Sequence, residues 1–428
     1  QENLQKNLLI LLLKSTTLVK LTLLKQSKMN NIFSSLITFL LLFTACQQNA
    51  LLTPSNAKQS IETETLAYAT LPENFNPSAF KLIHQNNPTV TVPHQISGNK
   101  MYWKVTPKSL TGAFELFPIS SQTPQDNTLE SKEKNGQWTI AIENQKVLGY
   151  QMAVTEAPKG ENPAYRRSGY IHPLNTPSGK RLTRIQPKDH FHHYGLWNPW
   201  THTLYEGDTL DFWNLAKEQG TVRFSKMLSH QTGPVFSAFE VLHEHVVLKN
   251  DKNKVVLNEI QKVRVTPLTE TSYQLDFEIS YQCNTSSPFK IIKYRYGGFG
   301  WRTTEEWDNQ NSRTLSSKGK TRKNADGSTA RWCIVDGKLG DGHGGAVMLS
   351  HPDNFNHPEP LRIWPEDQYE RGDLFVNFAT TKNTDWLFEP NQKYILRYRL
   401  IVYDGKIDSE TANIEWEKFK SPLVYNFN

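Results

Sequence analysis

The sequence predicts an all-β protein: a large antiparallel β-sandwich, with a small β region before it. Segments in which apolar and polar residues alternate recur along the chain, and they are rich in Val, Ile, Tyr, Thr and Phe. Turn-forming pairs, Asn-Asp once and Asp-Gly or Gly-Gly elsewhere, separate these segments. Amphipathic helical patterns are scarce, and strands without intervening helices favour an antiparallel sandwich over a parallel α/β sheet.

The N-terminal part resembles an export signal. Residues 32–43 (IFSSLITFLLLF) form an apolar run of signal-peptide length, and Thr44 and Ala45 precede Cys46 as small residues precede the lipidated cysteine of bacterial lipoproteins. We therefore expect residues 1–28 to be upstream translation, residues 29–46 to be a lipoprotein signal peptide and Cys46 to carry the lipid anchor. This predicts an extracytoplasmic, membrane-anchored lipoprotein of the periplasm or outer membrane, and the alternative is a transmembrane N-terminus.

Composition divides the rest of the chain into three parts. Residues 47–75 begin with a polar stretch low in aromatic residues, so we predict a linker there. Residues 76–135 are predicted to form an accessory β region, and residues 136–428 the sandwich domain. The predicted strands lie at residues 89–92, 100–105, 138–142, 239–248, 254–265, 273–281, 345–349 and 394–403, with turn pairs at residues 250–251, 297–298, 326–327, 336–337, 341–342 and 404–405.

Charge and cysteine content exclude some classes of function. The chain carries 48 Lys and Arg against 42 Asp and Glu, but five of the lysines and only one glutamate precede residue 47. The remaining chain is therefore close to neutral, and we expect no nucleic-acid partner. After Cys46, Cys283 and Cys333 either pair or stay as two thiols, and no thiolate metal site is present.

Histidines concentrate in one stretch. Four of the thirteen, at positions 172, 190, 192 and 193, fall within 22 residues, next to Asp189 and several tryptophans. If this segment is extended, His190 and His192 share one face and His193 faces the other way. Two rings on one face suit proton transfer near neutral pH, and Asp189 is placed to orient one of them. Two ligands are fewer than a metal site requires, so we predict no metal and no cofactor.

Further candidates follow from residue type. We predict His190, His192, His193 and Arg302 as the catalytic group, with Arg302 stabilising negative charge that develops on the substrate. Aromatic rings stack on the apolar faces of sugars, while histidine and arginine hydrogen-bond their hydroxyl groups. The predicted substrate-binding residues are His172, Arg184, Trp197, Trp213, Trp332, His351 and His357.

Five segments in order resemble one bacterial family, named after methane oxygenase PmoA. They are residues 171–179 (IHPLNTPSG), 189–197 (DHFHHYGLW), 295–298 (RYGG), 351–354 (HPDN) and 396–399 (LRYR) followed by 404–405 (DG). The sequence departs from the family at Phe191 and Tyr194, where relatives more often have Pro and Arg. The resemblance implies a fold similar to the supersandwich of galactose mutarotase and a role in carbohydrate metabolism. No apolar run after Cys46 is long enough to span a bilayer, so we do not expect methane oxidation.

Together these features predict an extracytoplasmic enzyme that acts on a glycoside or modified sugar as a hydrolase, lyase or epimerase, by general acid–base catalysis from histidine. Its partners would be a carbohydrate and, through Cys46, a membrane. One alternative is a carbohydrate-binding lipoprotein without catalysis. Another is a metal-dependent enzyme with His190 and His192 as ligands.

Overall fold

The computed structural model of the protein describes residues 50–55, 63–73, 75, 80–107, 112–119, 125, 127–249 and 252–428. The predicted signal peptide, the lipid-anchor residue Cys46 and the turn pair at residues 250–251 lie outside this part. The strands are β1 (Ala50–Pro54), β2 (Thr65–Thr70), β3 (Phe80–His84), β4 (Asn87–Val92), β5 (His94–Ser97), β6 (Lys100–Val105), β7 (Phe114–Pro118), β8 (Leu129–Lys134), β9 (Gln137–Ile142), β10 (Gln145–Gln151), β11 (Tyr170–Leu174), β12 (Leu196–Trp197), β13 (Thr203–Tyr205), β14 (Asp208–Leu210), β15 (Gly220–Thr232), β16 (Ser237–Lys249), β17 (Lys252–Thr269), β18 (Ser272–Cys283), β19 (Phe289–Ile291), β20 (Gly300–Arg302), β21 (Ser312–Ser316), β22 (Thr329–Ala330), β23 (Trp332–Leu339), β24 (Gly342–Ser350), β25 (Glu359–Ile363), β26 (Phe375–Phe378), β27 (Trp386–Phe388), β28 (Tyr394–Asp404) and β29 (Leu423–Phe427). One α-helix, α1 (Ser409–Lys420), and two short 3₁₀ turns (Pro163–Tyr165 and Leu215–Lys217) complete the described elements.

The predicted all-β class is confirmed. A nine-stranded sheet, ordered β22-β25-β26-β20-β12-β11-β10-β9-β8, packs against a sheet of long strands ordered β15-β16-β17-β18-β28-β24-β23-β21. A four-stranded sheet, β14-β13-β19-β27, extends the same core. Side chains such as Ile140 and Trp301 from the nine-stranded sheet meet Val263, Phe277 and Leu400 from the long-strand sheet in one continuous buried cluster. These two sheets are therefore the layers of the sandwich.

The alternation of side chains explains the strand predictions. In β16, every second residue from Ser237 to His245 is buried, because successive side chains point to opposite faces. All eight predicted strand segments lie within observed strands. The predicted turn at Asp336-Gly337 is wrong: both residues lie inside β23, where the carboxylate of Asp336 is buried and accepts hydrogen bonds from Arg313 at 2.8 Å and 3.0 Å. Because Arg313 compensates its charge, Asp336 can be buried within a strand. The Asp-Gly dipeptide alone gives no information about this partner.

The N-terminal boundaries also differ from the prediction. Within the predicted linker, β1 and β2 are strands that bury Leu52 and Ala67 in a separate N-terminal sheet ordered β4-β3-β7-β1-β29-β2-β6-β5. The C-terminal strand β29 lies between β1 and β2, so this sheet uses both ends of the described chain. Strand β8, predicted to belong to the accessory region, pairs with β9 in the sandwich instead. For β1 and β2 the distant partner β29 overrides local composition, whereas β8 joins the sandwich through a hairpin with its neighbour β9.

Helix α1 covers the outer face of the long-strand sheet. Asp408 caps its N-terminus by accepting a hydrogen bond from the Thr411 backbone N–H at 2.8 Å, and lysines occupy its last turn. Its Trp416 and Phe419 pack on residues of β23, β24 and β28. Within the described residues no helix is long and apolar enough to cross a membrane. The described cysteines, Cys283 and Cys333, are both free thiols, so they do not pair.

Candidate functional site

The candidate site lies on the outer face of the nine-stranded sheet. Alternation along β20 places Trp301 in the sandwich core and Arg302 on the opposite face, and β12 likewise places Leu196 inside and Trp197 outside. Phe375 of β26 is the register partner of Arg302 and joins Trp197 in an outer aromatic cluster. Three adjacent strands therefore present aromatic and cationic side chains to one surface.

The histidine segment is a pair of turns, so the extended conformation considered for it does not occur. An antiparallel bridge between Ile185 and Tyr194 closes the loop. Inside it, the His190 N–H donates to the Pro187 carbonyl at 2.8 Å, and the His193 N–H donates to the His190 carbonyl at 3.0 Å. Backbone hydrogen bonds that close successive turns fold the loop back on itself. The loop ends at Gly195, whose positive φ of 56° and close approach to a carbonyl of β11 suit only glycine.

The turns bring all three histidine rings together. Ring centroids are 5.2 Å apart for His190 and His192, 4.5 Å for His190 and His193, and 4.9 Å for His192 and His193. One ring nitrogen from each residue lies within 4.8 Å of the other two. The opposite facing of His193, which was expected for an extended segment, is therefore not found, because the turns replace the two-residue alternation of a strand.

Asp189 orients His190, in the way that the sequence predicted. Its Oδ2 accepts a hydrogen bond from His190 Nδ1 at 3.0 Å, and Arg302 donates to the same oxygen at 2.7 Å. In the neutral ring, a carboxylate that binds Nδ1–H leaves Nε2 as the nitrogen that can accept a proton or bind a ligand. Although burial opposes it, the hydrogen bond from His190 and the charge of Arg302 lower the pKa of Asp189 to about 2.

Arg302 supports the site from below and does not face a substrate. Its side chain is fully buried, pairs with Asp189 and with Asp373 at 3.0 Å, and stacks on the Trp364 ring at 4.4 Å. Arg184 also binds Asp373, at 2.7 Å, so it belongs to the same buried network. The predicted direct role of Arg302 in stabilising charge on a substrate has no support in this geometry, because its fully buried side chain does not line the cavity.

The rings of His192 and His193 sit in an apolar environment. Burial lowers the pKa of His192 to about 3, and burial also holds the pKa of His193 well below its usual range. Both rings are therefore neutral at neutral pH. Within the described residues, no side chain or backbone group is hydrogen-bonded to either ring, and Nδ1 of His193 is buried without a partner. Buried polar atoms usually find such a partner, so this arrangement needs an explanation.

A cavity of about 300 Å³ opens directly above the three rings. This volume is at the lower end of the range for small-molecule sites. Tyr369 is positioned there by a strained backbone with a φ of 53°, and its hydroxyl lies 3.4 Å from Nε2 of His190. The other lining residues are aromatic, amide or cationic: Trp213, Asn214, Arg295, Tyr296, Arg362, Trp364, Gln368 and Phe375. The cavity thus combines ring faces with hydrogen-bond donors.

The predicted binding residues separate into two groups. Trp213 lines the cavity, while Trp197 packs beneath His193 with ring centroids 5.0 Å apart. The five others do not line it. Arg184 belongs to the buried network beneath the cavity, where it binds Asp373. His172 is hydrogen-bonded to Thr183 at 3.0 Å on the side of β11, Trp332 donates to Asn413 of α1, and His351 and His357 pack against Phe419 and Trp416 of the same helix.

The sequence interpretation missed one whole side of the cavity. Residues 364–374 form a loop between β25 and β26 that contributes Trp364, Gln368 and Tyr369 to the lining and Asp373 to the network beneath it. The available signal was a Trp followed by a long polar stretch directly after an apolar strand. Loops that follow strands commonly carry functional side chains.

The fold and the cavity define an all-β sandwich protein with a histidine-lined pocket on one sheet. The chain belongs to a protein family of unknown function, DUF6807, whose sequence profile matches residues 137–417. That range contains the three histidines and the cavity lining. No curated protein matches the chain significantly.

Among solved structures, the chain is similar to heparan sulfate lyase HepC from Pedobacter heparinus and to a mutant of it. Each shares 9% identity and a TM-score of 0.32, and the match covers 68% of this chain. The chain spans only 38% of the length of those structures. A TM-score this low is insufficient to relate either the two folds or their activities.

Proposed function

We propose that this protein is a carbohydrate-active enzyme that binds a sugar or modified sugar in the cavity and exchanges a proton with it at the three-histidine centre. The observation that carries the proposal is the convergence of three rings, one of them fixed by Asp189, on the floor of a cavity. A ring with a defined tautomer next to a bound substrate is the arrangement that general acid–base catalysis requires.

The composition of the cavity wall supports a sugar as the ligand. The ring of Trp364 and the ring of Tyr296 provide apolar surfaces for the C–H faces of a pyranose, while Asn214, Gln368 and Arg295 provide donors for hydroxyl or carboxylate oxygens. The resemblance to the PmoA-named family, which implies a role in carbohydrate metabolism, supports the same class. The reaction would be a hydrolysis, an elimination or an epimerisation, since each begins with a proton transfer.

Separate residues would bind the ligand, react with it and hold the reacting groups. Nε2 of His190 is the atom placed to accept a proton from the sugar or from a water molecule. Asp189 and Arg302 are positioning residues, because they hold the ring and do not reach the cavity. Trp364 connects the two sets, since one of its ring faces contacts Arg302 while the residue also lines the cavity.

We also propose that the protein works outside the cytoplasm on a lipid anchor at Cys46, as the sequence of residues 32–46 suggests. Metabolic labelling with a radioactive fatty acid tests this directly. We expect label in the wild-type protein of the membrane fraction and none in a Cys46→Ser variant. Label that persists in Cys46→Ser would contradict the anchor.

The proposed enzyme is tested by a product screen. The protein is incubated with a panel of plant and algal glycans, oxidised glycosides and free sugars, and the mixtures are analysed by mass spectrometry. A His190→Ala, His192→Ala double variant removes the centre. The matched control is a His351→Ala, His357→Ala double variant, which removes two histidines of the same fold that lie away from the cavity.

A new product that is lost in the first variant and kept in the control would support the proposal. A product that both variants still form would contradict the assignment of the reaction to the three histidines. Saturable binding of one glycan, without any product, would show a binding protein and not an enzyme.

A further inference from the structure

The three rings supply more ligand atoms than proton transfer requires. One nitrogen from each of His190, His192 and His193 lies within 4.8 Å of the other two. Three nitrogens at about 2.0–2.1 Å from one tetrahedral ion would be roughly 3.3 Å apart. The separations therefore need to shrink by about 1.5 Å at most, given those bond lengths. Rotation of the two partly exposed rings, His190 and His192, is the movement available for this.

A second observation points to a ligand at the same place. His193 is 2% exposed, and its Nδ1 is buried without a hydrogen-bond partner. Nδ1 of His245 and Nε2 of His84 are also buried without a partner, but each of these rings is hydrogen-bonded through its other nitrogen, His245 to Glu259 at 2.8 Å and His84 from the Asn86 backbone N–H at 3.2 Å. Within the described residues, neither ring nitrogen of His193 has such a bond. A buried imidazole nitrogen without a hydrogen-bond partner in the protein is available to bind a ligand such as a metal ion.

The surroundings of His190 match those of a metal-bound histidine. A histidine that binds a metal through one nitrogen commonly donates its other N–H to a carboxylate, which fixes the ring and raises its basicity. Asp189 is that carboxylate, and Arg302 holds it in place from below. This arrangement leaves Nε2 of His190 as the ligand atom and gives the site a buried, charge-paired support.

We propose that His190, His192 and His193 bind one divalent transition-metal ion, of which Zn²⁺ is the simplest case, at the floor of the cavity. Three imidazoles and no carboxylate suit zinc, copper, nickel or iron and not calcium or magnesium. Three protein ligands leave a fourth position open toward Trp364 and Tyr369, as in catalytic and not structural zinc sites. The earlier prediction of no metal counted two rings on one face, and the turns of the loop add the third.

The role of the ion in catalysis rests on the proposed function. The binding of the ion does not. An ion there lowers the pKa of a bound water and polarises a sugar oxygen. The water bound to the ion would then exchange the proton with the sugar, in place of an imidazole ring that binds no metal.

The test is metal binding by the purified protein. After treatment with a chelator and dialysis, the wild type is titrated with Zn²⁺ by calorimetry and with Co²⁺ by visible absorption, which reports tetrahedral coordination. His192→Ala is the test variant, because His192 is less buried than His193 and its removal leaves the core intact. His351→Ala is the control.

We expect one ion per chain in the wild type and in His351→Ala, and at least a 100-fold weaker affinity in His192→Ala. Added Zn²⁺ should raise the Tm of the wild type and not that of His192→Ala. Absence of stoichiometric binding, or equal binding in His192→Ala, would overturn the proposal.

The two proposals fail in different ways. Product formation by a protein that fails to bind Zn²⁺ or Co²⁺ stoichiometrically would overturn the metal centre and leave the proposed function standing. A bound ion without any product from the sugar panel would overturn the proposed function and leave the metal centre standing.

Discussion

Replacement of Arg302 by methionine tests the buried network beneath the cavity. Arg302 is fully buried between Asp189 and Asp373, and although burial lowers its pKa to about 10, it stays charged at neutral pH. Removal of one partner of a buried ion pair costs about 3–5 kcal/mol, because the other charge is left without compensation. Asp373 retains Arg184 and Arg371, so the uncompensated charge is mainly that of Asp189. We therefore expect a loss of about 3 kcal/mol, at the lower end of that range.

The matched control is Arg371→Met. Arg371 binds the same Asp373 at 2.6 Å, but its side chain is 45% exposed, so its removal should cost about 0–1 kcal/mol. Urea unfolding followed by tryptophan fluorescence gives the free energy of unfolding of both variants and the wild type, provided that their m-values agree. A cost for Arg302→Met equal to that of Arg371→Met would refute the claim that the network is a buried support.

Two further predictions concern the fold. Gly195→Ala is expected to lower the free energy of unfolding in urea by about 2 kcal/mol more than Gly405→Ala. Both positions have a positive φ, but only a Cβ at Gly195 would contact a carbonyl oxygen, at 2.2 Å. Equal losses in the two variants would contradict the predicted clash. Stability should also fall as the pH is lowered from about 7 to about 4. Burial lowers the pKa of His245, and hydrogen bonds from His243 and His245 lower the pKa of Glu259 despite its burial. Both groups therefore bind fewer protons in the folded state, and stability is lost as the unfolded groups protonate, first near pH 6.5 and then near pH 4.5. Glu259→Gln should remove the part of this loss that occurs near pH 4.5, because the variant has no carboxyl group to protonate there. An unchanged slope between about pH 5 and pH 4 would contradict this prediction.

Alternation in the sequence was sufficient to predict the sandwich. The strands around residues 239–248, 254–265 and 273–281 bury one face in the core. Burial of one face requires an apolar residue at every second position, and this pattern is visible in the sequence. The order of strands in the N-terminal sheet was not predictable in this way. Strand β29 pairs with β1 and β2 across more than 350 residues, and local composition contains no information on that pairing.

The histidine motif was found from residue type alone, but its geometry was not. Whether residues 189–194 are extended or turned depends on the bridge from Ile185 to Tyr194 and on the fit of Gly195 against β11. The burial of Arg302 depends on Asp373, which lies 71 residues further along the chain. Sequence reasoning can place charged residues near one another only when they are close in the chain or in a known motif, and neither condition holds here.

The central claim is that the reaction takes place at the three-histidine centre. Its most direct test is kcat/KM of His190→Ala and of His351→Ala, relative to wild type, on the substrate that the product screen identifies. We expect His190→Ala to lose about 10²–10⁴-fold, the usual contribution of a positioned acid–base group, and His351→Ala to match the wild type. Wild-type kcat/KM in His190→Ala, or an equal loss in both variants, would contradict the claim.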